Sequence, residues 1–288
     1  MEALHITAKD LREYPLADPE CARRTWAAMR RRWPRVFAAC LMGNHLHVLV
    51  PYASGDEADW LLRSLRRMPH WTAPDVEASH VRGRLKLMRN VRYIALNPCR
   101  TPLCADPLEW LWSTHREAFG AAAEPWLDED VVELFGSPDG LHRYVSADVS
   151  VDIEGTSSPE PAVETSVATR PVADIARACL AAYRLPNTGL RRRGPARADF
   201  FRLAWEQGWR NARHLGELVG AGPLAVRRAW SGHASQASRA CLGDGRLLVR
   251  AVPSDPREPQ TFVHAPSPGV IGSQRTSGVR SGPISSRR

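Results

Sequence analysis

The sequence predicts an α+β body, a small all-helical module after it, and a disordered basic tail. Three observations lead there. Strand-like and helix-like segments alternate over residues 1–120. A Ser-, Thr-, Pro- and Glu-rich stretch then interrupts the pattern, and residues 171–251 return to helical periodicity. The charge divides along the same lines: residues 1–120 carry a net +5, 121–170 a net −9, 171–251 a net +9, and 252–288 a net +3. A chain of 288 residues, 43% apolar and 24% charged, is long enough for two modest domains with connecting segments. Two basic bodies around an acidic connector point to a polyanion, nucleic acid first, although a solvated surface has the same composition.

The elements follow in order. Leu4-His5-Ile6-Thr7 is a short strand. Pro19 to Arg32 is a helix with Ala22, Trp26 and Met29 on one face, and Pro34 ends it. Val36 to Val50 is the most strand-like stretch, interrupted near Gly43-Asn44. Asp59 to Met68 is helical, and Pro69 to Pro74 is a loop. A longer helix is expected from Val76 to Leu96, ending there because residues before Pro98 resist helical geometry. Strand and helix in this alternation make an α+β sandwich. Leu127 to Phe135 is a further short helix. The acidic connector and flexible linker span residues 121–170, the second module 171–251, and the disordered basic tail 252–288.

Several classes drop out early. The first residues lack the apolar core of a secretory signal, and no apolar run is long enough to span a membrane. The six cysteines are scattered. Cys99 and Cys104 are close, but with no second pair they fit reduced structural residues better than zinc. These features are expected of a cytoplasmic protein. Only Lys9 and Lys86 are lysines among 39 basic residues, and the arginines supply forked donors suited to phosphate.

Two constellations carry chemistry. His45 and His47 stand two apart in an extended segment, so both imidazoles point to one side, as a cation requires and as two structural histidines also permit. A histidine-triad hydrolase would need a third histidine where Leu49 stands. A two-histidine phosphoesterase would need two His-x-Thr strands; His5-Ile-Thr7 and His70-Trp-Thr72 match in letters, but Pro69 and Pro74 make the second a poor strand, and the match reads as coincidence. The other constellation is Arg82, Lys86, Arg89, Tyr93 and Asn97, spaced to share one face of the expected helix, with Val81, Leu85, Met88 and Val91 on a neighbouring apolar face. A solvated helix face fits the same spacing. Taken together, a metal that polarises a phosphodiester and a tyrosine oxygen that attacks it make a known chemistry.

Gly43-Asn-His-Leu-His-Val-Leu-Val50 resembles the signature of HUH-type single-strand nucleases. Tyr93-Ile-Ala-Leu-Asn-Pro98-Cys-Arg100, with Ala105-Asp-Pro-Leu-Glu-Trp-Leu-Trp112-Ser113-Thr-His-Arg116, resembles the second signature of REP-associated tyrosine transposases. The likeness covers about residues 1–120. It implies a ferredoxin-like antiparallel sheet, a divalent cation (Mg²⁺ or Mn²⁺) and cleavage of single-stranded DNA near hairpins. It assigns His45 and His47 as metal ligands, Asn97 as a third contributor to the metal site, and Tyr93 as the nucleophile that forms a 5′-phosphotyrosine. Gly43 stands where proline is usual, Ala95 where a polar residue is common, and Thr101-Pro102 where Ala-Gly is expected.

In the second module, Arg197 to Gly208, Ala212 to Val219 and Leu224 to Trp230 read as three helices, with Gly220-Ala-Gly-Pro223 as the turn before the last. Helix–turn–helix with Arg227 and Arg228 on the last helix, and Arg191, Arg192 and Arg193 close by, suits phosphate or major-groove contact. The block resembles the C-terminal domain of the replication initiator DnaA through Arg197…Ala204…Glu206 and Leu215…Val226-Arg-Arg-Ala229. Gly222-Pro-Leu-Ala225 replaces its Asp-His-Thr-Thr signature.

The expected function is therefore a metal-dependent single-strand DNA endonuclease and strand transferase of transposition. Arg82, Lys86 and Arg89 are expected to contact single strands or hairpins, and the second module duplex DNA. A non-catalytic helix-turn-helix regulator is the alternative, and a nucleotide phosphohydrolase a third class. The polar linker is expected to leave the two basic bodies as separate cores.

Overall fold

Alternation of small apolar and polar residues along the first strand decides how the whole sheet is covered. The computed structural model describes residues 2–52, 55–101, 103–147 and 170–248. The expected tail and most of the expected linker lie outside these residues. In chain order the elements are β1 (Glu2–Asp10), α1 (Pro19–Arg32), β2 (Ala38–Leu41), β3 (His45–Pro51), α2 (Glu57–Leu65), β4 (Pro74–Arg82), α3 (Arg84–Arg100), α4 (Glu129–Leu134), α5 (Pro138–Ser146), α6 (Val172–Ala182), α7 (Pro195–Glu206), α8 (Ala212–Leu218), α9 (Pro223–Ala229) and α10 (Gln236–Gly243). The architecture is α+β, with one antiparallel sheet of order β2-β3-β1-β4.

Successive strand residues face opposite sides. Leu4, Ile6 and Ala8 of β1 and Leu46, Val48 and Val50 of β3 join Trp26 and Met29 of α1 and Leu61 and Leu65 of α2 in one apolar cluster. Ala3, Cys40, Leu49 and Val81 point the other way, onto Leu87, Val91 and Ile94 of α3 and Val131, Leu141 and Val145 of α4 and α5. Each fully buried large aliphatic side chain stabilises this sandwich by about 1.5–3 kcal/mol. Asp18 caps α1 by accepting from the backbone N–H of Cys21 at 2.7 Å, and Pro19 opens the first turn.

Three expectations need correction. Residues from Val76 do not begin a helix: Pro74–Arg82 is an edge strand paired with β1, and Gly83, at φ 85°, turns the chain into α3. The strand reads poorly from sequence because most of its side chains are exposed and its alternation, from Pro74 to Ser79, is short and carried by small residues. Nor does α3 stop before Pro98; it runs through the proline to Arg100, forgoing the one bond that Pro98 cannot donate to the Ile94 carbonyl, and ends within a turn of it. Finally, Leu85 is 72% exposed, and the buried face of α3 is Leu87, Val91, Ile94 and Ala95.

The connector is partly structured. The helix expected at 127–135 is α4, and α5, absent from the sequence reading, packs on α3. The two basic blocks also share one apolar cluster, contrary to the expectation of separate cores. It runs from Trp26, Trp112 and Trp126 into Ile175, Ala178 and Ala182 of α6 and on to Phe200 of α7. Buried Arg184 pairs with buried Glu117 and lays its guanidinium 4.6 Å over the Trp26 ring. The backbone N–H of Ala123 donates to Ala182 at 2.9 Å, and buried Arg116 donates to the carbonyl of Leu247 at 2.9 Å. A polar linker sets the length of the connection; docking is set by the apolar faces at its two ends. Among the described residues no helix is long and apolar enough to cross a membrane.

Candidate active site

The face of the sheet that carries α3 is apolar at Ala3, Ala38, Cys40, Leu49 and Val81, and polar toward β4, where Ser79, Glu77 and Asp75 stand opposite His5, Thr7 and Lys9. On this face β1 and β3 present His5, Thr7, His45 and His47. The antiparallel register places Thr7 directly opposite His47 and Lys9 opposite His45, with His5 diagonal to His47. Thr7 Oγ1 lies 3.1 Å and His5 Nε2 3.2 Å from Nδ1 of His47. The Nδ1 of His45 lies 2.9 Å from Oδ1 of Asn44. The His45 and His47 rings stand edge to face with centroids 5.2 Å apart.

Tyr93 reaches this cluster from α3. Its ring centroid is 5.4 Å from His47 and 6.3 Å from His5, and the side chain is 43% exposed. A tyrosine that packs on buried His47 and half-buried His5 yet stays open to solvent can meet a large substrate. Arg100, two turns further along α3, holds its guanidinium 5.0 Å over the ring and donates to the Tyr93 carbonyl at 3.1 Å. Asn97 is buried and donates through Nδ2 to the same carbonyl at 3.3 Å.

The electrostatics keep the imidazoles neutral. Burial lowers the pKa of His47 to about 3, reinforced by His5 and His45; burial also lowers His5, and burial with Lys9 lowers His45. Neutral imidazoles whose inner nitrogens have polar partners form a donor set that suits a cation. Among the described residues no group of three or more His, Cys, Asp or Glu side chains is placed to hold a metal. Oxygen donors such as the Asn97 amide or a substrate phosphate would have to complete such a site.

The predicted site residues are thus only partly gathered. His45, His47 and Tyr93 converge, and Asn97 stands one turn beyond Tyr93. Lys86 and Arg89 are exposed on α3, and Lys86 donates to the carbonyl of His80 at 3.1 Å. Arg82 is not on that helix: it ends β4, with Nε 3.6 Å from Glu2 Oε1. His5 and Thr7 were missed as site residues. The signal is the His-x-Thr spacing of β1, which carries little weight in the sequence because its second copy lies between Pro69 and Pro74. That copy indeed serves elsewhere: the backbone N–H of Thr72 donates to Asp10 at 2.7 Å, and His70 holds φ 75° in a turn.

The stretch from Ala105 to Arg116 is bonded to the sheet and within itself. Asp106 accepts from the N–H of Leu108 at 2.8 Å, Trp110 Nε1 donates to the carbonyl of Leu41 at 2.8 Å, and Thr114 Oγ1 accepts from the N–H of Ala39 at 2.9 Å. These bonds close the β2 edge of the sheet and lead to Arg116 at the junction with the helical block. In that block, α8 and α9 are joined by a turn at Gly220, which holds φ 65°. Arg227 and Arg228 lie exposed on α9, and Arg191, Arg192 and Arg193 are exposed before α7.

No protein-family profile and no curated protein matches the chain. Among solved structures it is similar to one described as "Structure of the REP associates tyrosine transposase bound to a REP hairpin", with 16% identity and a TM-score of 0.34 over 41% of this chain and 79% of that one.

Proposed function

We propose that the chain is a DNA-cleaving tyrosine enzyme that transfers a single strand through a covalent phosphotyrosine. The observation that carries this reading is the convergence of exposed Tyr93 on buried His47 and its half-buried neighbours His5 and His45. The β-α-β-β-α-β order with sheet order β2-β3-β1-β4 is that of ferredoxin-like folds and agrees with it. Tyr93 Oη attacks phosphorus, the P–O3′ bond breaks, and the released 3′ oxygen takes up a proton. The tyrosine then holds the 5′-phosphoryl end until a 3′-hydroxyl reverses the step. His45, His47 and the amide oxygen of Asn97 would hold a divalent cation, Mg²⁺ or Mn²⁺, which when bound supplies charge against the phosphate oxygens. Thr7 and His5 fix the ring of His47. Lys9, Lys86, Arg89 and Arg100 surround the site with positive charge for the incoming strand, with Arg82 at the sheet edge.

The helix-turn-helix block supports duplex contact through Arg191, Arg192, Arg193, Arg227 and Arg228. Its exposed arginines also favour the second reading, a non-catalytic DNA-binding regulator. The experiment that separates the two uses the full chain with a single-stranded hairpin oligonucleotide and Mn²⁺. The transferase gives a DNA-linked protein band that survives denaturation and disappears in chelator. A regulator shifts the DNA in native gels and gives no covalent band. Release of mononucleotides without an adduct would mark a phosphohydrolase.

A further inference from the structure

On the side of the sheet opposite Tyr93, a cavity of about 460 Å³ opens between the start of α1 and the segment leading into α7. The volume falls within the 300–1,000 Å³ typical of small-ligand pockets. Its walls divide by chemistry. Tyr183, Leu185 and Pro186 form an apolar side, and Arg23, Arg192, Arg193 and Arg197 form a cationic one. The acidic lining residues are already engaged: Asp18 caps α1, and Glu20 pairs with Arg23 and Arg24. Arg192 and Arg193 make no ion pair with any described residue. Burial first, then the charges of Arg192 and Arg24, lower the pKa of Arg23, and Asp18 acts against them.

We infer that this cavity binds one nucleoside monophosphate unit, its phosphate on the arginines and its base on the Tyr183–Leu185–Pro186 wall. Forked guanidiniums recognise a phosphate dianion or diester. An apolar shelf with an aromatic edge accepts a base face without selecting its identity. The unit could belong to a free nucleotide or to a DNA strand, which share this chemistry. The inference does not depend on the tyrosine chemistry, because the cavity lies across the sheet from it.

The test is calorimetric titration of the full chain with dTMP, thymidine, inorganic phosphate and the tetramer pdTpdTpdTpdT. The expected result is saturable dTMP binding, with thymidine and phosphate each at least tenfold weaker. Tighter binding of the tetramer than of dTMP would identify a strand as the source, and equal or weaker binding a free nucleotide. Thr188 also lines the cavity; Thr188→Trp fills it and keeps every arginine, while Arg23→Gln keeps the space and removes one charge. Each is expected to weaken dTMP at least tenfold while leaving duplex affinity and the melting temperature unchanged. Phosphate binding as tightly as dTMP, or normal dTMP binding by a folded Thr188→Trp chain, would overturn the assignment. If Thr188→Trp does not fold, Arg23→Gln alone decides: unchanged dTMP affinity overturns it.

Discussion

His5 shows how a residue's role depends on its neighbours in space. Its sequence context gave a motif with a failed second half, whereas the register of β1 on β3 gives it a place beside His47. His45, His47 and Tyr93 were legible because period-2 and period-3.6 spacing report facing directly; His5 and Thr7 were not, because no local pattern reports strand pairing. As a positioning residue His5 should act through His47. His5→Ala is expected to weaken Mn²⁺ binding and cleavage together by about 10–100-fold without lowering the melting temperature. His5→Gln, which can still hydrogen-bond to His47, should recover part of both. Unchanged Mn²⁺ affinity in His5→Ala would remove that role. Asp10 is a second residue without a sequence signal. Burial opposes its charged form, but the N–H groups of Ala73, Arg12, Glu13 and Thr72 donate to it and bring its pKa from 3.8 to about 2. Because the folded value lies below the ordinary one, its contribution is complete above about pH 4 and lost as pH falls toward 2. Asp10→Ala should cost about 2–4 kcal/mol at pH 7, and the variant's urea midpoint should vary less over that acid window than that of the parent chain.

At the scale of elements, β4 and α3 illustrate what periodicity misses. The alternation in this edge strand is short and weakly apolar, so helical spacing extends through it in the sequence and places Arg82 on the next helix. From Lys86 onward the spacing of Arg89 and Tyr93 held, because it depends on the helix alone. The buried side of α3 was misjudged at Leu85, which lies in the first turn beyond the reach of the sheet. Gly83 sets where α3 begins, through a conformation that side chains disfavour. A Cβ there meets no atom, so the cost of Gly83→Ala is backbone strain alone, about 1–2 kcal/mol. Chemical denaturation should show that loss. An unchanged midpoint would mean that the turn relaxes and does not fix the placement of Tyr93 over the histidines.

At the scale of the molecule, the segmental charges were readable from the sequence, but the docking of the two basic blocks was not. It rests on Trp26, Trp112, Trp126 and α6, residues that each look like the core of their own module. The full chain should therefore unfold in one calorimetric transition. Arg184→Ala should destabilise it by about 3–5 kcal/mol, because it leaves Glu117 charged and buried. Two separated transitions would show that the blocks fold independently. Docking also holds the arginines of α9 and Tyr93 on one body. The proposed function turns on Tyr93 forming the bond to DNA. The most direct measurement is tryptic mass spectrometry of the full chain after reaction with a hairpin oligonucleotide and Mn²⁺, alongside Tyr93→Phe. The result predicted is one nucleotide-modified peptide carrying the mass on Tyr93, with no adduct in Tyr93→Phe although hairpin binding persists. An adduct on Tyr14, Tyr52, Tyr144 or Tyr183, or an undiminished adduct in Tyr93→Phe, would contradict it.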